Sequence, residues 1–443
     1  MLLKINPGNK LIGEVSLPGD KSISIRFALF ALLAQGESRA KNFLTSGITK
    51  TILKALSDIE IEWRLENDNL LVVGKGIDGI HAPRKPIYCG NSATALRLLA
   101  GVFAAAGIQA ILDGSPSLRQ RPMQRIIEPL QALGVEINLS KDGLLPIFLV
   151  ARQPRKYLNS TDIRLEVASA QVKTCVLIAS LACSGEVTIQ EPSQSRDHSE
   201  RMLKQMGVII NRINDDNYSS IRINPIGKTP LTPLVINIPG DFSAAAFFIV
   251  AGLITPESKI LIRNVGLNPT RIGLLSALRE MGAKISVINY NEQATEPFGD
   301  LLVFFSQLHG INISGNRVVQ MIDEFPIIGI AAAYAKGITT VVEAEELRYK
   351  ESDRISVLCK TLRELGVQVQ EKRDGFTING NGKLKGGITI DPEVDHRNAM
   401  AFAIAGLAAE SPIEIKNPEI IDESFPDFLL TLKSLGADIV LCN

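Results

Sequence analysis

The stretch Asp20–Phe43 reads DKSISIRFALFALLAQGESRAKNF. Three polar residues lead into a run that is apolar on nearly every face, and a short alternating segment follows Gly36. A helix of that composition is buried all round and does not lie on a surface. The same order of parts returns five more times, in GNSATALRLLAGVFAAAGIQAIL (Gly90–Leu112), SAQVKTCVLIASLACSGEVTI (Ser169–Ile189), GDFSAAAFFIVAGLITPESKILI (Gly240–Ile262), DEFPIIGIAAAYAKGITTVV (Asp323–Val342) and DHRNAMAFAIAGLAAESPIEI (Asp395–Ile415). A repeat of this size fixes the architecture before any single residue is weighed.

A second, amphipathic helix follows each apolar one. MQRIIEPLQALGVEINL, SERMLKQMGVIINR, IGLLSALREMGAKISVI, ISVLCKTLRELGVQVQE and FPDFLLTLKSLGADIVL all end in a Gly ahead of a strand, which is a helix C-cap signal. Those glycines are Gly134, Gly207, Gly282, Gly366 and Gly436. The first repeat has a weaker counterpart, TILKALSDIEIEW, without the Gly. Each repeat therefore reads as helix, strand, helix, strand with an extra strand or two, giving α/β units whose central helices sit behind strands.

Six repeats suggest two domains of three. Pro-Gly-Asp occurs at 18–20 and again at 239–241, and Pro with Gly is strong punctuation. If both are crossings, residues 19–240 form one domain. Residues 1–18 and 241–443 form the other, with hinges near 18–20 and 239–241.

Lys plus Arg and Asp plus Glu both number 47, so the formal net charge is zero, against a general nucleic-acid binder. The five cysteines form no CxxC pair and mostly stand in apolar runs, as in a reducing cytoplasm. The four histidines are too scattered for a zinc site. MLLKINPGNK lacks the apolar core of a signal peptide, and the longest apolar runs are too short to span a bilayer, so neither a targeting segment nor a membrane partner is expected.

The functional signal stands at the starts of the apolar helices, where unpaired N–H groups favour anions. They carry Lys21-Ser22 with Arg26, Asn91-Ser92 with Thr94 and Arg97, Ser169 with Gln171 and Lys173, Asp323-Glu324, and Asp395-His396-Arg397. Arg121, Arg196, Lys350 and Arg354 stand on connecting segments. If the helix starts of both domains face one cleft, that cleft is electropositive in a neutral protein, and its ligand is small and multiply anionic. Taken singly, Ser22, Ser169 and Asp323 are ordinary N-caps, and Arg119, Arg121 and Arg125 an exposed face. Lys21 and Arg26 beside a wholly apolar helix are harder to explain blandly, because buried cations need partners. Gly74–Gly79, GKGIDG, matches a dinucleotide fingerprint, but two prolines follow where that fold needs a helix, so it reads as a turn.

LPGDKSISIR, GNSATALR, RPM, SAQVK, DEFP, KESDR and DHRNAM, in that order, resemble the 3-phosphoshikimate 1-carboxyvinyltransferase (5-enolpyruvylshikimate-3-phosphate synthase) family of enolpyruvyl transferases. The resemblance implies a two-domain inside-out α/β barrel, each domain of three βαβαββ repeats with buried helices. It implies transfer of the enolpyruvyl group of phosphoenolpyruvate to the 5-hydroxyl of shikimate 3-phosphate, through a tetrahedral intermediate and with phosphate released. Neither a metal nor an organic cofactor is implied, the partners are the two small substrates, and a monomer is expected. Carried over by motif, Lys21, Ser22, Arg26, Ser169, Gln171, Arg196, Asp323 and Lys350 would bind shikimate 3-phosphate. Lys21, Asn91, Ala93, Arg121, Gln171, Arg354 and Arg397 would bind phosphoenolpyruvate. Asp323, Glu351 and Lys21 would carry the proton transfers, with the domains closing over the substrates.

The chain departs from the family pattern at three places. Ala93 stands where many members have Gly, so a methyl would intrude on the phosphoenolpyruvate pocket and poor binding of the bulkier inhibitor glyphosate is expected. Glu423 stands where some members have Lys, and TSGITKTI (Thr45–Ile52) lacks an acidic pair. Two rival readings are a UDP-N-acetylglucosamine enolpyruvyl transferase and a non-catalytic anion binder of the same fold. The first places a reactive Cys in the loop that here reads DGSPSLRQRPM, which has none. The second has no use for Asp323 and Glu351, which repel anions.

Overall fold

In a computed structural model, which describes residues 1–140, 143–153, 156–214 and 218–442, the six apolar runs are helices. They are α1 (Lys21–Leu33), α2 (Ala93–Ala106), α3 (Ala170–Ser180), α4 (Phe242–Ile254), α5 (Phe325–Tyr334) and α6 (His396–Gly406). Almost every residue beyond their first turns is buried. Their stability comes from packing, since they present no polar face to water.

Among the described residues each of these helices lies against a four-stranded sheet, and the six sheets share one topology. A first strand runs parallel to the second, and the third and fourth follow antiparallel, as in 235–237, 35–41, 69–75 and 62–66. The last sheet borrows its third strand from the start of the chain: Leu2–Asn6 pairs antiparallel with Ile413–Lys416 on one side and Asp438–Cys442 on the other. Folding therefore brings the two chain ends together in one sheet.

The chain falls into two compact units, one from Gly19 to Ile238 and the other joining Met1–Pro18 to the chain from Pro239 onward. The break precedes Pro239 and not Asp241 for a bonding reason. Gly240 N–H donates to Asn264 at 2.7 Å, its carbonyl accepts from Gly266 at 2.8 Å, and Asp241 N–H donates to Pro18 at 2.9 Å. Each unit has its own apolar core.

The five expected C-cap glycines take φ between +84° and +105°, the left-handed region. In the first repeat Glu60 fills that place at φ +60°. Ile61 N–H still reaches back to Leu56, as Val135 does to Leu130, so the cap geometry survives without its preferred residue.

Gly101 decides how two site-bearing helices cross. A Cβ built there would stand 2.5 Å from the Cys175 carbonyl oxygen, so the backbones of α2 and α3 touch. Cys89, Cys175, Cys183 and Cys359 are buried and unpaired, and burial pushes each thiol up to about 12. No helix among the described residues is long and apolar enough to cross a membrane.

Candidate active site

In the unit from Gly19 to Ile238, three helix starts are tied to one another. Asp20 caps α1, accepting from Ile23 N–H at 2.9 Å, so the neighbouring Ser22 is not the cap. Ser92 caps α2 at 3.1 Å and Ser169 caps α3 at 3.4 Å. Arg26 is 2% exposed. It donates to its own helix at the Ser22 carbonyl (3.0 Å), to the Ala170 carbonyl (3.3 Å) and Thr174 Oγ1 (3.2 Å) of α3, and to Ser199 Oγ (2.9 Å). The guanidinium thus bridges the first turns of α1 and α3, leaving Lys21 and Ser22 partly exposed at the tip.

Gln171 links α3 to α2. Its Oε1 accepts from Arg97 Nη1 at 2.7 Å, and its Nε2 donates to Thr94 Oγ1 at 2.9 Å. Arg97 also donates to the Pro122 carbonyl at 2.8 Å, which fixes the segment carrying Arg121 beside the starts of α2 and α3. Asn91 Oδ1 accepts from Ser115 Oγ at 3.3 Å, and Ala93 opens α2 with 4% of its surface exposed. Of the three arginines read as an exposed face, Arg119 is exposed and paired with Asp113, whereas Arg121 and Arg125 are half-buried. Arg196 lies in the segment before the helix His198–Gln205, half-buried.

The other unit holds Asp323, Lys350, Glu351, Arg354 and Arg397 in one ionic network. Arg354 opens the helix Arg354–Glu364 and is 2% exposed. Its Nε donates to Asp395 Oδ2 at 2.8 Å, its Nη2 to Glu351 Oε2 at 2.7 Å, and its Nη1 stands 3.7 Å from Asp323 Oδ1. Asp323 Oδ1 is also 3.8 Å from Lys350 Nζ, and Oδ2 is 3.8 Å from Arg397 Nη2. Arg397 Nη1 donates to the Asp323 carbonyl at 3.1 Å. Asp323 is not a helix cap: Glu324 occupies that place in α5 without a side-chain cap bond. Two carboxylates, Asp323 and Glu351, therefore share Arg354, and three cationic heads lie within 4 Å of the Asp323 carboxylate.

Two anions hold these cations in place. Asp395 caps α6 by accepting from Arg397 N–H at 2.9 Å and is fully buried. Burial alone would raise its carboxyl, but the charge and hydrogen bond of Arg354 reverse this and hold it below the ordinary range. Glu324, 1% exposed, accepts from Arg271 at 3.0 and 3.1 Å and lies 3.8 Å from Arg397 Nη1. Arg271 and Ser243 complete this second cluster, and Ser243 donates to Glu324.

Residues 5–432 match the family model described as EPSP synthase (3-phosphoshikimate 1-carboxyvinyltransferase). The chain belongs to the EPSP synthase family. A 3-phosphoshikimate 1-carboxyvinyltransferase of Petrotoga mobilis is 44% identical over 97% of this chain and 98% of its own length. The solved EPSP synthase of Acinetobacter baumannii superposes with a TM-score of 0.87 at 36% identity, covering all of both chains. The enolpyruvyl transferase NikO of Streptomyces tendae shares the fold, with a TM-score of 0.78 at 18% identity over 99% of this chain and 98% of its own. The fold is the enolpyruvyl transferase fold that the resemblance implied, and it agrees with the repeats.

The departures from the EPSP synthase pattern have local accounts. Glu423 Oε2 stands 3.9 Å from His396 Nδ1, beside the start of α6, so an anion occupies ground where a Lys was sought. In Thr45–Ile52 the Ser46 N–H donates to Thr49 Oγ1 at 2.9 Å, and the segment serves as the cap of the helix Gly47–Asp58. Arg271, Glu324 and Asp395 were not among the candidate site residues. Glu324 and Asp395 stood out only as helix-start residues, and their pairings with Arg271 and Arg354 arise through the fold.

Proposed function

We propose that this chain transfers the enolpyruvyl group of phosphoenolpyruvate to the 5-hydroxyl of shikimate 3-phosphate and releases phosphate. The observation that carries this reading is the pair of carboxylates, Asp323 and Glu351, held on one buried guanidinium, Arg354. A protein that only bound anions would gain nothing from two carboxylates among its cations.

The reaction needs proton transfer at two atoms. The 5-hydroxyl loses its proton as its oxygen attacks C2 of phosphoenolpyruvate, and C3 gains a proton. C3 of the resulting tetrahedral intermediate is a rotating methyl, and loss of any one of its three hydrogens together with the phosphate leaves the vinyl ether. Asp323 accepts the hydroxyl proton. Glu351 delivers a proton to C3 and later removes one of the three methyl hydrogens, and Lys21 assists proton transfer to the leaving phosphate. Lys21, Ser22, Arg26, Ser169, Gln171, Arg196 and Lys350 hold shikimate 3-phosphate, together with Asp323. Lys21, Arg121, Gln171, Arg354 and Arg397 hold phosphoenolpyruvate near Asn91 and Ala93. Their cations neutralise two mutually repelling substrates and the departing phosphate. With Glu423 in place of a Lys, phosphoenolpyruvate depends on Lys21 and the arginines.

The Ala93 methyl narrows the phosphoenolpyruvate site, so we propose that glyphosate binds poorly. Four buried, unpaired thiols support a reducing, cytoplasmic setting.

Turnover in heavy water tests the addition–elimination course. Deuterium in the vinyl carbon of the product is expected, because C3 is protonated from solvent and then deprotonated. A product free of deuterium would contradict it.

A further inference from the structure

Lys173 is a cation of the α3 first turn that cannot touch a substrate. It is 0% exposed, and its Nζ lies 2.9 Å from Glu191 Oε1, 2.8 Å from Glu200 Oε1 and 3.1 Å from the Ser195 carbonyl oxygen. Two of its hydrogens are donated, to Glu191 and to the Ser195 carbonyl, and the Glu200 carboxylate pairs with the same charge. Burial would lower its proton affinity, but the two carboxylates more than offset this and keep it charged.

The partners flank one short segment. Glu191 ends the strand Val187–Glu191, and Glu200 lies in the first turn of the helix His198–Gln205. The segment between them carries Ser195 and Arg196. Ser195 is held at every polar atom: its N–H donates to Glu191 Oε1 at 3.0 Å, its Oγ to Glu191 Oε2 at 2.6 Å, and its carbonyl accepts from Lys173. The next residue along α3, Thr174, bonds to Ser199 and to Arg26. A buried ionic cluster of this kind costs desolvation, so its return is in position more than in stability.

We infer that Lys173 is a positioning residue: with Glu191 and Glu200 it clamps Ser195 and so sets the direction in which Arg196 meets the anionic acceptor substrate. This rests on the reading of Arg196 as a ligand of shikimate 3-phosphate. The clamp spans one unit, joins three elements, and leaves the proton-transfer carboxylates untouched.

Steady-state kinetics of the full chain test it. In Lys173→Met the KM for shikimate 3-phosphate should rise on the order of tenfold to a hundredfold, as for a lost charge-assisted contact. The kcat and the KM for phosphoenolpyruvate should stay within about threefold. In an Arg196→Ala background the same change should add less than about twofold, because the clamp acts through that side chain. Should Lys173→Met fail to fold, Lys173→Met/Glu191→Gln/Glu200→Gln removes the buried charges together and is expected to show the same KM split. Equal losses in both KM values, a fall in kcat alone, or full multiplicative effects in the double variant would overturn the inference. A raised KM in Arg196→Ala beside an unchanged one in the Lys173 variants would overturn the clamp alone. An unchanged KM in Arg196→Ala would overturn the ligand reading and the clamp with it.

Discussion

Arg354 and Asp395 form a fully buried ion pair, with Nε 2.8 Å from Oδ2 at 2% and 0% exposure. The pair joins the start of one helix to the cap of another, and Arg354 carries Glu351 on its other edge. Removing one charge from such a pair leaves the other stranded in a low dielectric. Asp395→Asn retains the cap but not the charge. It should destabilise the protein by about 3 kcal/mol and raise the KM for phosphoenolpyruvate.

The pH dependence follows from the lowered Asp395 carboxyl. A group held below its unfolded value contributes stability above that value, near 3.9, and loses it as pH falls through the folded value. The difference in urea midpoint between wild type and Asp395→Asn should therefore be constant from about pH 6 to 9 and close only below about pH 4. A gap that closes near neutrality would contradict the assignment.

Glu351 is the carboxylate assigned to C3. Glu351→Gln should lower kcat on the order of 100- to 10,000-fold. The affinity for shikimate 3-phosphate, measured by calorimetry, should be nearly unchanged. A parallel loss of binding would make Glu351 a ligand and not a proton carrier.

Ala93 offers a test by subtraction. Ala93→Gly removes one methyl at the start of α2, a helix whose first residues are buried. The variant should be inhibited by glyphosate competitively with phosphoenolpyruvate, at concentrations at least about tenfold lower than wild type. Equal inhibition of the two proteins would remove Ala93 from the pocket.

Glu60 holds a left-handed conformation that its five counterparts assign to Gly. A non-Gly residue there pays a steric cost of about 1–2 kcal/mol, partly offset by the greater unfolded-state freedom of Gly. Glu60→Gly should stabilise the first unit by about 0.5 kcal/mol in denaturant melts. A loss of stability would show that the exposed pair between Glu60 and Arg84 outweighs the backbone term.

The repeat was legible because it is local: the apolar runs that became α1 to α6 and the glycines that follow the amphipathic helices are patterns in consecutive residues. Lys21, Arg26 and Asp323 were legible as charges at the starts of apolar helices, and Arg354 as a charge on a connecting segment. The pairings were not. Lys173 read as one more helix-start cation, yet its head is spent on Glu191 and Glu200, which lie in a strand and in another helix. Glu324 read as a helix-start residue, and its partner Arg271 stands 53 residues earlier in a turn, where no local pattern links the two. Ser22 looked like a cap, but Asp20 outcompetes it by reaching Ile23 N–H. Long-range polar contacts of this kind leave no periodicity for a sequence to show.

The most direct measurement is phosphate release from phosphoenolpyruvate by the purified chain, with shikimate 3-phosphate or UDP-N-acetylglucosamine as acceptor. Turnover with the first and none above background with the second is the predicted result. Release that depends on the nucleotide sugar, or no release with either, would contradict the account.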